Sequence, residues 1–402
     1  MASVPVRQKG AHQMKGDPGQ TWSDHVEFAD IPLAHSTGLA FVAAALRLAD
    51  IGMPDPGQPV LNAGGCAEDR ALAQLKCTGE LVEKLAILDC GAAAGRPAAT
   101  AGDENIAVLR DHVHLLSGLD MPTVGAGVPG INLQTRRGVY LPPAFVYRQA
   151  QMPESYQAGS NGCAAGDTFD TAAARALLEL VERDAVTLWW YGRRRAVQAG
   201  FTPATTDEVS GFLSRVRPAG TRPVMFLNLT TDIPIPVIAA ISHDGSGRHC
   251  AIGFGADLSP AAASVKAICE MSQMELAYDL AMVKSNMGRP LTATDRAHLA
   301  RLTRYRMDGA SPLADISNVS PQVMPQGQAG PDPLASILTS LFDCGYEVYA
   351  VDMSREGFDH RIVRAIVPGL QPPDIRAGTD RLNRALNATG CALQDAVTPG
   401  PY

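Results

Sequence analysis

The chain has 402 residues, of which 46% are hydrophobic and 19% are charged, and its formal net charge at pH 7 is −7. This composition excludes wholesale disorder, which requires fewer apolar residues and a larger charge imbalance. The acidic balance also argues against a protein that binds nucleic acid through a basic face, and no apolar run reaches the roughly 18 residues that cross a bilayer.

The first 34 residues begin with a polar stretch rich in Gly, Gln and Lys, and we expect them to form a flexible N-terminal extension. They contain no hydrophobic segment of the kind that a secretory signal needs. The eight cysteines form no C-x-x-C pair, which favours free thiols in a reducing compartment. The sequence therefore predicts a cytoplasmic protein that neither spans a membrane nor binds nucleic acid.

Long Ala- and Leu-rich segments predict helices at 68–90, 171–192 and 260–286. Apolar runs around polar turns predict two pairs of strands, one within 223–245 and one within 346–369. Segments rich in Gly and Pro at 91–104 and 308–334 predict loops. Long helices combined with strand pairs indicate an α/β (α+β) fold with mixed sheets, not a regular βαβ repeat.

One unit occurs three times along the chain. In each copy, a turn of small residues precedes an Ala-rich helix that carries Glu and, three residues later, Glu or Gln. The three pairs are Glu80 with Glu83, Glu179 with Glu182, and Glu270 with Gln273. Three copies of one turn-plus-helix unit indicate a shared role.

Residues three apart lie on one face of a helix, with Cβ atoms about 5–6 Å apart, so each Glu pair presents two carboxylates in one direction. Desolvated carboxylates at this distance raise each other's pKa unless a cation lies between them. The next residues, Lys84 and Arg183, point about 100° away on an ideal helix, so we expect neither to neutralise its own pair completely. Mg²⁺ bound to a nucleotide triphosphate, with Arg183 on a phosphate oxygen, satisfies such a cluster.

The alternative is a solvated helix face on which the like-charge pairs are accidental, and the threefold repetition favours the metal cluster over it. Ser160, Asn161 and Gly162 place a hydroxyl, an amide and a bare backbone N–H near a helix start, where anions bind. The chain contains neither a P-loop motif nor a Rossmann glycine motif in a βαβ context.

Residues 160–190, SNGCAAGDTFDTAAARALLELVERDAVTLWW, closely resemble the central signature of the YcaO family, an S-N-G-x-A-x-G turn followed by L-x-E-x-x-E-R-D-A. Three other segments resemble further family motifs: GELVEK, GFGADL with AICEMSQ, and VRAIVPGLQP. The resemblance extends over residues 35–402, which we therefore expect to form a catalytic domain that ends in a Pro-containing tail.

This resemblance implies ATP- and Mg²⁺-dependent activation of a peptide backbone amide by phosphorylation of its oxygen. Attack by a Cys, Ser or Thr side chain of the peptide gives a thiazoline or oxazoline, and external sulfide gives a thioamide. The metal cluster then comprises Glu80, Glu83, Glu179 and Glu182. The nucleotide contacts are Lys84, Ser160, Asn161, Gly162, Arg183, Glu270 and Gln273, with Arg183 also acting in catalysis.

The C-terminal TPGPY keeps part of the alternating proline pattern of azoline-forming members, so the Tyr402 carboxylate is a candidate proton acceptor. Two differences from the family pattern are Lys84 in place of Arg and the absence of a G-K-G turn before the first helix. They leave open a non-catalytic nucleotide-binding accessory protein. Thioamide formation with a TfuA-type partner and a sulfide donor also stays open beside the favoured cyclodehydratase.

The resemblance also implies partners. About 35 residues precede it, too few for the leader-binding module that fused members carry. We therefore expect a precursor peptide and a separately encoded E1-like protein that binds its leader, as in azole-modified microcin synthetases. A flavin-dependent azoline dehydrogenase is a further expected partner, and homo-oligomer formation is left open.

Overall fold

A computed structural model describes residues 21–32, 38–53, 59–88, 128–148, 159–217, 222–308, 313, 321–324, 330–355, 358–373, 379–391 and 400–401. The strands are β1 (Glu27–Asp30), β2 (Ala40–Arg47), β3 (Val60–Ala67), β4 (Val128–Asn132), β5 (Gly138–Leu141), β6 (Cys163–Gly166), β7 (Val197–Gly200), β8 (Val224–Asn228), β9 (Val237–Ser242), β10 (Ala251–Ala256), β11 (Gln322–Val323), β12 (Tyr349–Asp352) and β13 (Arg361–Ile366). The helices are α1 (Arg70–Ile87), α2 (Pro143–Val146), α3 (Phe169–Trp190), α4 (Pro203–Val216), α5 (Pro260–Asn286), α6 (Ala293–Arg304), α7 (Pro333–Asp343) and α8 (Asp380–Thr389), with 3-10 helices at Trp22–His25 and Leu48–Ile51.

Within the described residues, the strands form three sheets with the orders β1-β2-β3, β10-β9-β8-β7-β11 and β5-β4-β12-β13-β6. Neighbouring strands are antiparallel except for β7 and β11, which are parallel. The predicted strand pairs are present as β8 with β9 and β12 with β13, both antiparallel. The fold is therefore the expected mixture of helices and mixed sheets.

Three strands, β3, β6 and β10, each lie at the edge of a different sheet and each leads directly into a long helix. The helices α1, α3 and α5 correspond to the three segments predicted as helical. Each begins with a side-chain cap: Asp69, Thr168 and Ser259 accept the backbone N–H three residues further on. Such caps satisfy amides that would otherwise lack a partner in the first turn.

Two glycines let strand and helix approach closely in the first and third units. A Cβ on Gly65 would lie 1.9 Å from the carbonyl oxygen of Ala73, and one on Gly255 would lie 2.2 Å from that of Ala263. No side chain fits at such distances, so these small residues have a packing role. The prediction of a turn is wrong in these two units, because both glycines lie within strands, β3 and β10. They bring each edge strand onto its helix.

Part of the predicted N-terminal extension is ordered. Glu27–Asp30 pairs antiparallel with β2, and the buried Trp22 ring packs edge-on against Phe358 with 5.7 Å between centroids. The predicted boundary at residue 34 therefore divides a sheet, because a polar composition does not prevent a short strand from pairing with its neighbour. The predicted loop at 91–104 lies outside the described residues, and α7 begins at Pro333, just inside the second predicted loop.

None of the helices in the described part of the chain is both long and apolar enough to span a membrane. Seven cysteines lie within this part, all with free thiols, and five of them are buried. Burial raises the pKa of Cys163, in the signature turn, to about 12, which makes it an unreactive packing residue at neutral pH.

Candidate functional site

A cavity of about 590 Å³ is walled by the three repeated helices. Its wall includes Glu80, Glu83, Lys84, Ser160, Glu179, Glu182, Arg183, Glu270 and Gln273. The structure thus brings together nearly all the site residues that the sequence predicts. Asn161 and Gly162 lie in the adjoining turn, and Tyr402 lies outside the described residues.

The first glutamate of each repeat accepts a hydrogen bond from the backbone of its own edge strand or turn. Glu80 Oε2 lies 2.8 Å from the amide nitrogen of Gly64, and Glu179 Oε2 lies 3.1 Å from that of Gly162. Glu270 accepts the same bond from the amide of Phe254. These bonds orient the three carboxylates alike, each toward a backbone amide of the strand, or of the turn before the strand, in its own unit.

A second contact repeats with the same spacing. In each unit a cationic side chain donates to the carbonyl oxygen ten residues earlier, where the strand ends. The pairs are Lys76 with Cys66 at 3.0 Å, Arg175 with Ala165 at 2.8 Å, and Lys266 with Ala256 at 3.0 Å. The sequence repeat is therefore also a repeat of hydrogen bonds.

Glu83 connects two of the units. Its Oε1 accepts a hydrogen bond of 2.7 Å from the amide of Ala165, in the strand of the second unit. Burial, reinforced by the negative charges of Glu179 and Glu80, raises the pKa of Glu83 to about 8. The metal-free site therefore holds a proton on Glu83 at neutral pH.

The side chains of Lys84 and Arg183 come closer to the carboxylates of their own helices than ideal helix geometry predicts. Lys84 Nζ lies 2.6 Å from Glu80 Oε1, and Arg183 lies 3.6 Å from Glu179 and 3.2 Å from Glu182. Each cation reaches at least one carboxylate of its own pair, but a single positive charge does not neutralise two carboxylates completely. The ideal 100° rotation describes Cα–Cβ bonds, whereas a long flexible side chain bends back to the residue four positions earlier.

Negative charge is nevertheless in excess. Five carboxylates and two cations line the cavity. Burial raises the pKa of Glu179, and burial together with the charge of Glu182 raises the pKa of Glu270 to about 7. Carboxylates that face one cavity, and that are partly protonated in the metal-free protein, are suited to binding a hard divalent cation. Among the described residues, no three His, Cys, Asp or Glu side chains are arranged so that they could hold a metal ion as they stand.

The side chain of Asn161 is a second group suited to binding a ligand. Its Oδ1 atom is buried and has no hydrogen-bond partner. A buried polar atom without a partner is costly, typically by about 1–3 kcal/mol, unless a ligand or water satisfies it. Since Ser160 lines the cavity directly before it, the turn presents polar groups to whatever binds there.

Sequence reasoning missed five of the described residues of the wall as site residues: Gly64, Phe254, Met274, Ala277 and His298. Met274 follows Gln273 as Lys84 follows Glu83 and Arg183 follows Glu182, so the repeat alignment alone would have found it. His298 belongs to α6, which is no part of the repeat, and no sequence signal identifies it.

Comparison with protein families gives a match over residues 64–371 to the family described as YcaO cyclodehydratase, ATP- and Mg²⁺-binding. An uncharacterized protein of Methanothermobacter thermautotrophicus is 27% identical over 248 residues, which is 60% of this chain and 64% of the relative. An uncharacterized protein in the tfuA 3′ region of Rhizobium leguminosarum bv. trifolii is 28% identical over 160 residues, which is 37% of this chain and 38% of the relative. The chain thus spans less than two thirds of the length of both relatives.

Three solved structures share the fold. A heterocyclase in complex with substrate and cofactor superposes with a TM-score of 0.69 at 21% identity, covering 94% of this chain and 55% of that one. YcaO from Methanopyrus kandleri bound with AMPPCP and Mg²⁺ gives 0.56 at 19% identity, with 86% and 85% covered. The E. coli microcin synthetase McbBCD complex gives 0.57 at 10% identity, with 85% and 87% covered.

Proposed function

The chain belongs to the YcaO family, and from that premise we propose that it is an ATP- and Mg²⁺-dependent cyclodehydratase that acts on backbone amides of a ribosomally made precursor peptide. One observation carries the proposal: glutamates from three separate helices line a single cavity together with Arg183 and Lys84. A solvated helix face would instead leave these carboxylates in bulk water.

The residues of the wall fit a metal-bound triphosphate. Glu80, Glu83, Glu179 and Glu182 would hold Mg²⁺, which neutralises phosphate charge when it is bound. Arg183, Lys84 and the Ser160–Gly162 turn would contact the phosphates, with Glu270 and Gln273 as further nucleotide contacts. These groups position the reactants and stabilise charge, and that is most of the work in a phosphoryl transfer.

The proposed reaction needs no covalent enzyme nucleophile. A Cys, Ser or Thr side chain of the peptide loses its proton and bonds to the preceding amide carbon, while the C=O π electrons move to the oxygen. That oxygen takes the γ-phosphoryl group as ADP leaves. The nitrogen then loses its proton and forms a C=N bond as phosphate departs with the former amide oxygen, which leaves an azoline ring.

The proton-accepting role of the Tyr402 carboxylate belongs to this proposal. Its support among the described residues is the anchoring of the tail, because the carbonyl oxygen of Gly400 accepts bonds from Arg301 Nε at 3.0 Å and from the Tyr305 hydroxyl at 2.7 Å. Both donors follow His298 of the cavity wall closely along the chain.

Thioamide formation is the second candidate, and the relative from the tfuA 3′ region favours it. The same activation of the amide would serve, with a sulfide donor and a TfuA-type partner in place of the peptide's own nucleophile. The E1-like leader-binding partner and the azoline dehydrogenase belong to the first candidate, supported by the fold shared with a multi-protein microcin synthetase complex.

The test combines ADP release with the mass of the product. The purified chain is incubated with Mg²⁺, ATP, a candidate precursor peptide rich in Cys, Ser, Thr and Gly, and a candidate E1-like leader-binding protein. Loss of one water from the peptide supports the cyclodehydratase, and exchange of oxygen for sulfur supports thioamide formation. Glu179→Ala should abolish ADP release, whereas the exposed Glu68→Gln should not. Tight nucleotide binding without turnover would show an accessory protein and refute the enzyme.

A further inference from the structure

His298 is a histidine of the cavity wall that no part of the proposed reaction uses. It lies on α6 and is half-buried, with its ring 6.1 Å from that of Tyr278 on α5, measured between centroids. Its Nδ1 atom is buried and has no hydrogen-bond partner. No protein group at Nδ1 therefore holds the ring in one tautomer, so either nitrogen can carry the proton.

The end of the cavity near His298 differs chemically from the end that holds the carboxylate cluster. Glu270, Gln273, Met274 and Ala277 all lie on α5 and all line the cavity. Since a helix rises 1.5 Å per residue, Glu270 and Ala277 are about 10 Å apart along the axis. The wall changes over this distance from charged to apolar, and an apolar end suits an uncharged second reactant better than a phosphate.

The C-terminal end of α6 also binds a backbone carbonyl group. Arg301, about one turn after His298, and Tyr305, the residue that follows the helix, donate hydrogen bonds to the carbonyl oxygen of Gly400. This end of the helix therefore offers donors to the kind of group that a substrate peptide brings.

The surroundings of His298 keep it uncharged. The charged or titratable groups near it are Arg301 and Asp295 on its own helix, and Lys284 and Tyr278 on α5. Burial and the positive charges of Arg301 and Lys284 outweigh Asp295 and hold the pKa of His298 below its ordinary 6.5. A neutral imidazole at pH 7 can accept a proton.

We propose that His298 is a catalytic residue that accepts the proton of the attacking Cys thiol, or Ser or Thr hydroxyl, of the peptide as the new bond to the amide carbon forms. This inference rests on the proposed cyclodehydratase function. The S–H or O–H bond breaks toward sulfur or oxygen, the proton goes to an imidazole nitrogen, and the electron pair forms the bond to carbon. The imidazolium returns the proton to solvent after the phosphate has left.

The first experiment asks which reactant covers His298. Diethyl pyrocarbonate acylates accessible neutral imidazoles, and mass spectrometry measures the rate at His298 with and without saturating MgAMPPCP, with the exposed His249 as internal reference. We expect His298 to be modified at a rate that MgAMPPCP changes by less than about threefold, because the nucleotide occupies the other end. Protection by about tenfold or more, or no modification in either state, would overturn the assignment. A separate titration shows whether MgAMPPCP binds, since failure there would refute the proposed function itself.

The second experiment separates catalysis from structure. In the turnover assay described for the proposed function, His298→Ala should lower product formation by about 100-fold or more while the Kd for MgAMPPCP stays within about threefold. Added imidazole should restore part of the activity of His298→Ala but not that of Glu179→Ala. In His298→Gln the loss of activity as the pH falls below 6.5 should disappear. Unchanged turnover in His298→Ala, or a loss that imidazole does not rescue, would overturn the proposal.

Discussion

Glu83→Gln should stabilise the metal-free protein while weakening its binding of Mg²⁺. The carboxyl group has an ordinary pKa of 4.5 and a pKa of about 8 in the folded chain, mainly because it is buried near Glu179 and Glu80. At about 1.4 kcal/mol per pKa unit, this corresponds to an upper limit of roughly 5 kcal/mol that folding loses when Glu83 ionises. Glutamine removes the charge and keeps an oxygen for the amide of Ala165.

The direction with pH follows from proton binding. Below pH 4.5 the carboxyl is protonated in both states, and its contribution to stability is fully present. Between pH 4.5 and about 8 the folded chain keeps a proton that the unfolded chain has released, so stability falls as the pH rises. Glu83→Gln removes this loss, and we expect a gain on the order of 2–4 kcal/mol at pH 8.5 and little change near pH 5.

The assay is urea unfolding of the metal-free protein, followed by tryptophan fluorescence at pH 5 and pH 8.5, and then repeated with Mg²⁺ and AMPPCP. The ligand should stabilise the wild type more than the variant, because Mg²⁺ replaces the proton on Glu83. Glu68→Gln is the matched control, since Glu68 is exposed and bonded to Arg215. A Glu83→Gln protein that is less stable than the wild type at pH 8.5, or that gains as much from the ligand, would refute the reasoning.

Three further substitutions test the packing and the charges around the site. Gly255→Ala places a Cβ against a helix carbonyl oxygen and should lower the free energy of unfolding by about 3 kcal/mol or more. The control is Gly138→Ala, which has open space around its Cβ and should change the free energy of unfolding by less than about 1 kcal/mol. Arg381→Met leaves the fully buried Asp184 without its cation and should lower the free energy of unfolding in urea by about 3–5 kcal/mol. Adding Asp184→Asn should recover part of that loss. A double variant whose loss equals the sum of the two single losses would contradict the pairing. Lys84→Arg should keep the Kd for MgAMPPCP within about threefold of the wild-type value, whereas Lys84→Ala should raise it about tenfold. Equal Kd values for these two variants would show that nucleotide binding needs no cation at position 84.

Much of the site was predictable because it repeats along the sequence. The spacing of Glu and Glu or Gln within an Ala-rich helix locates all three helices, and the small-residue segments locate the backbone amides that bind Glu80, Glu179 and Glu270. In the first and third units these segments are strand and not the predicted turn. What the spacing does not predict is which partner each carboxylate takes. The bond from Ala165 to Glu83 joins residues 82 apart in the chain, and only the relative placement of two units sets it.

His298 shows the other limit of the sequence. The residue lies outside every motif, and its position at the cavity depends on how α6 packs against α5, where Lys284 bonds to Asp295 at 2.8 Å. Burial decides its charge state, and burial is a property of the folded chain. The sequence analysis missed the N-terminal strand β1 for a similar reason, because its pairing with β2 is a tertiary contact that its polar sequence does not predict.

The most direct test of the account is the location of a divalent cation in crystals grown with Mn²⁺ and AMPPCP, by anomalous scattering at the manganese edge. The account predicts manganese peaks within about 2.0–2.5 Å of carboxylate oxygens from both α1 and α3, with the triphosphate on the same ions. Manganese bound elsewhere, or bound by one helix alone with the nucleotide outside the cavity, would contradict it.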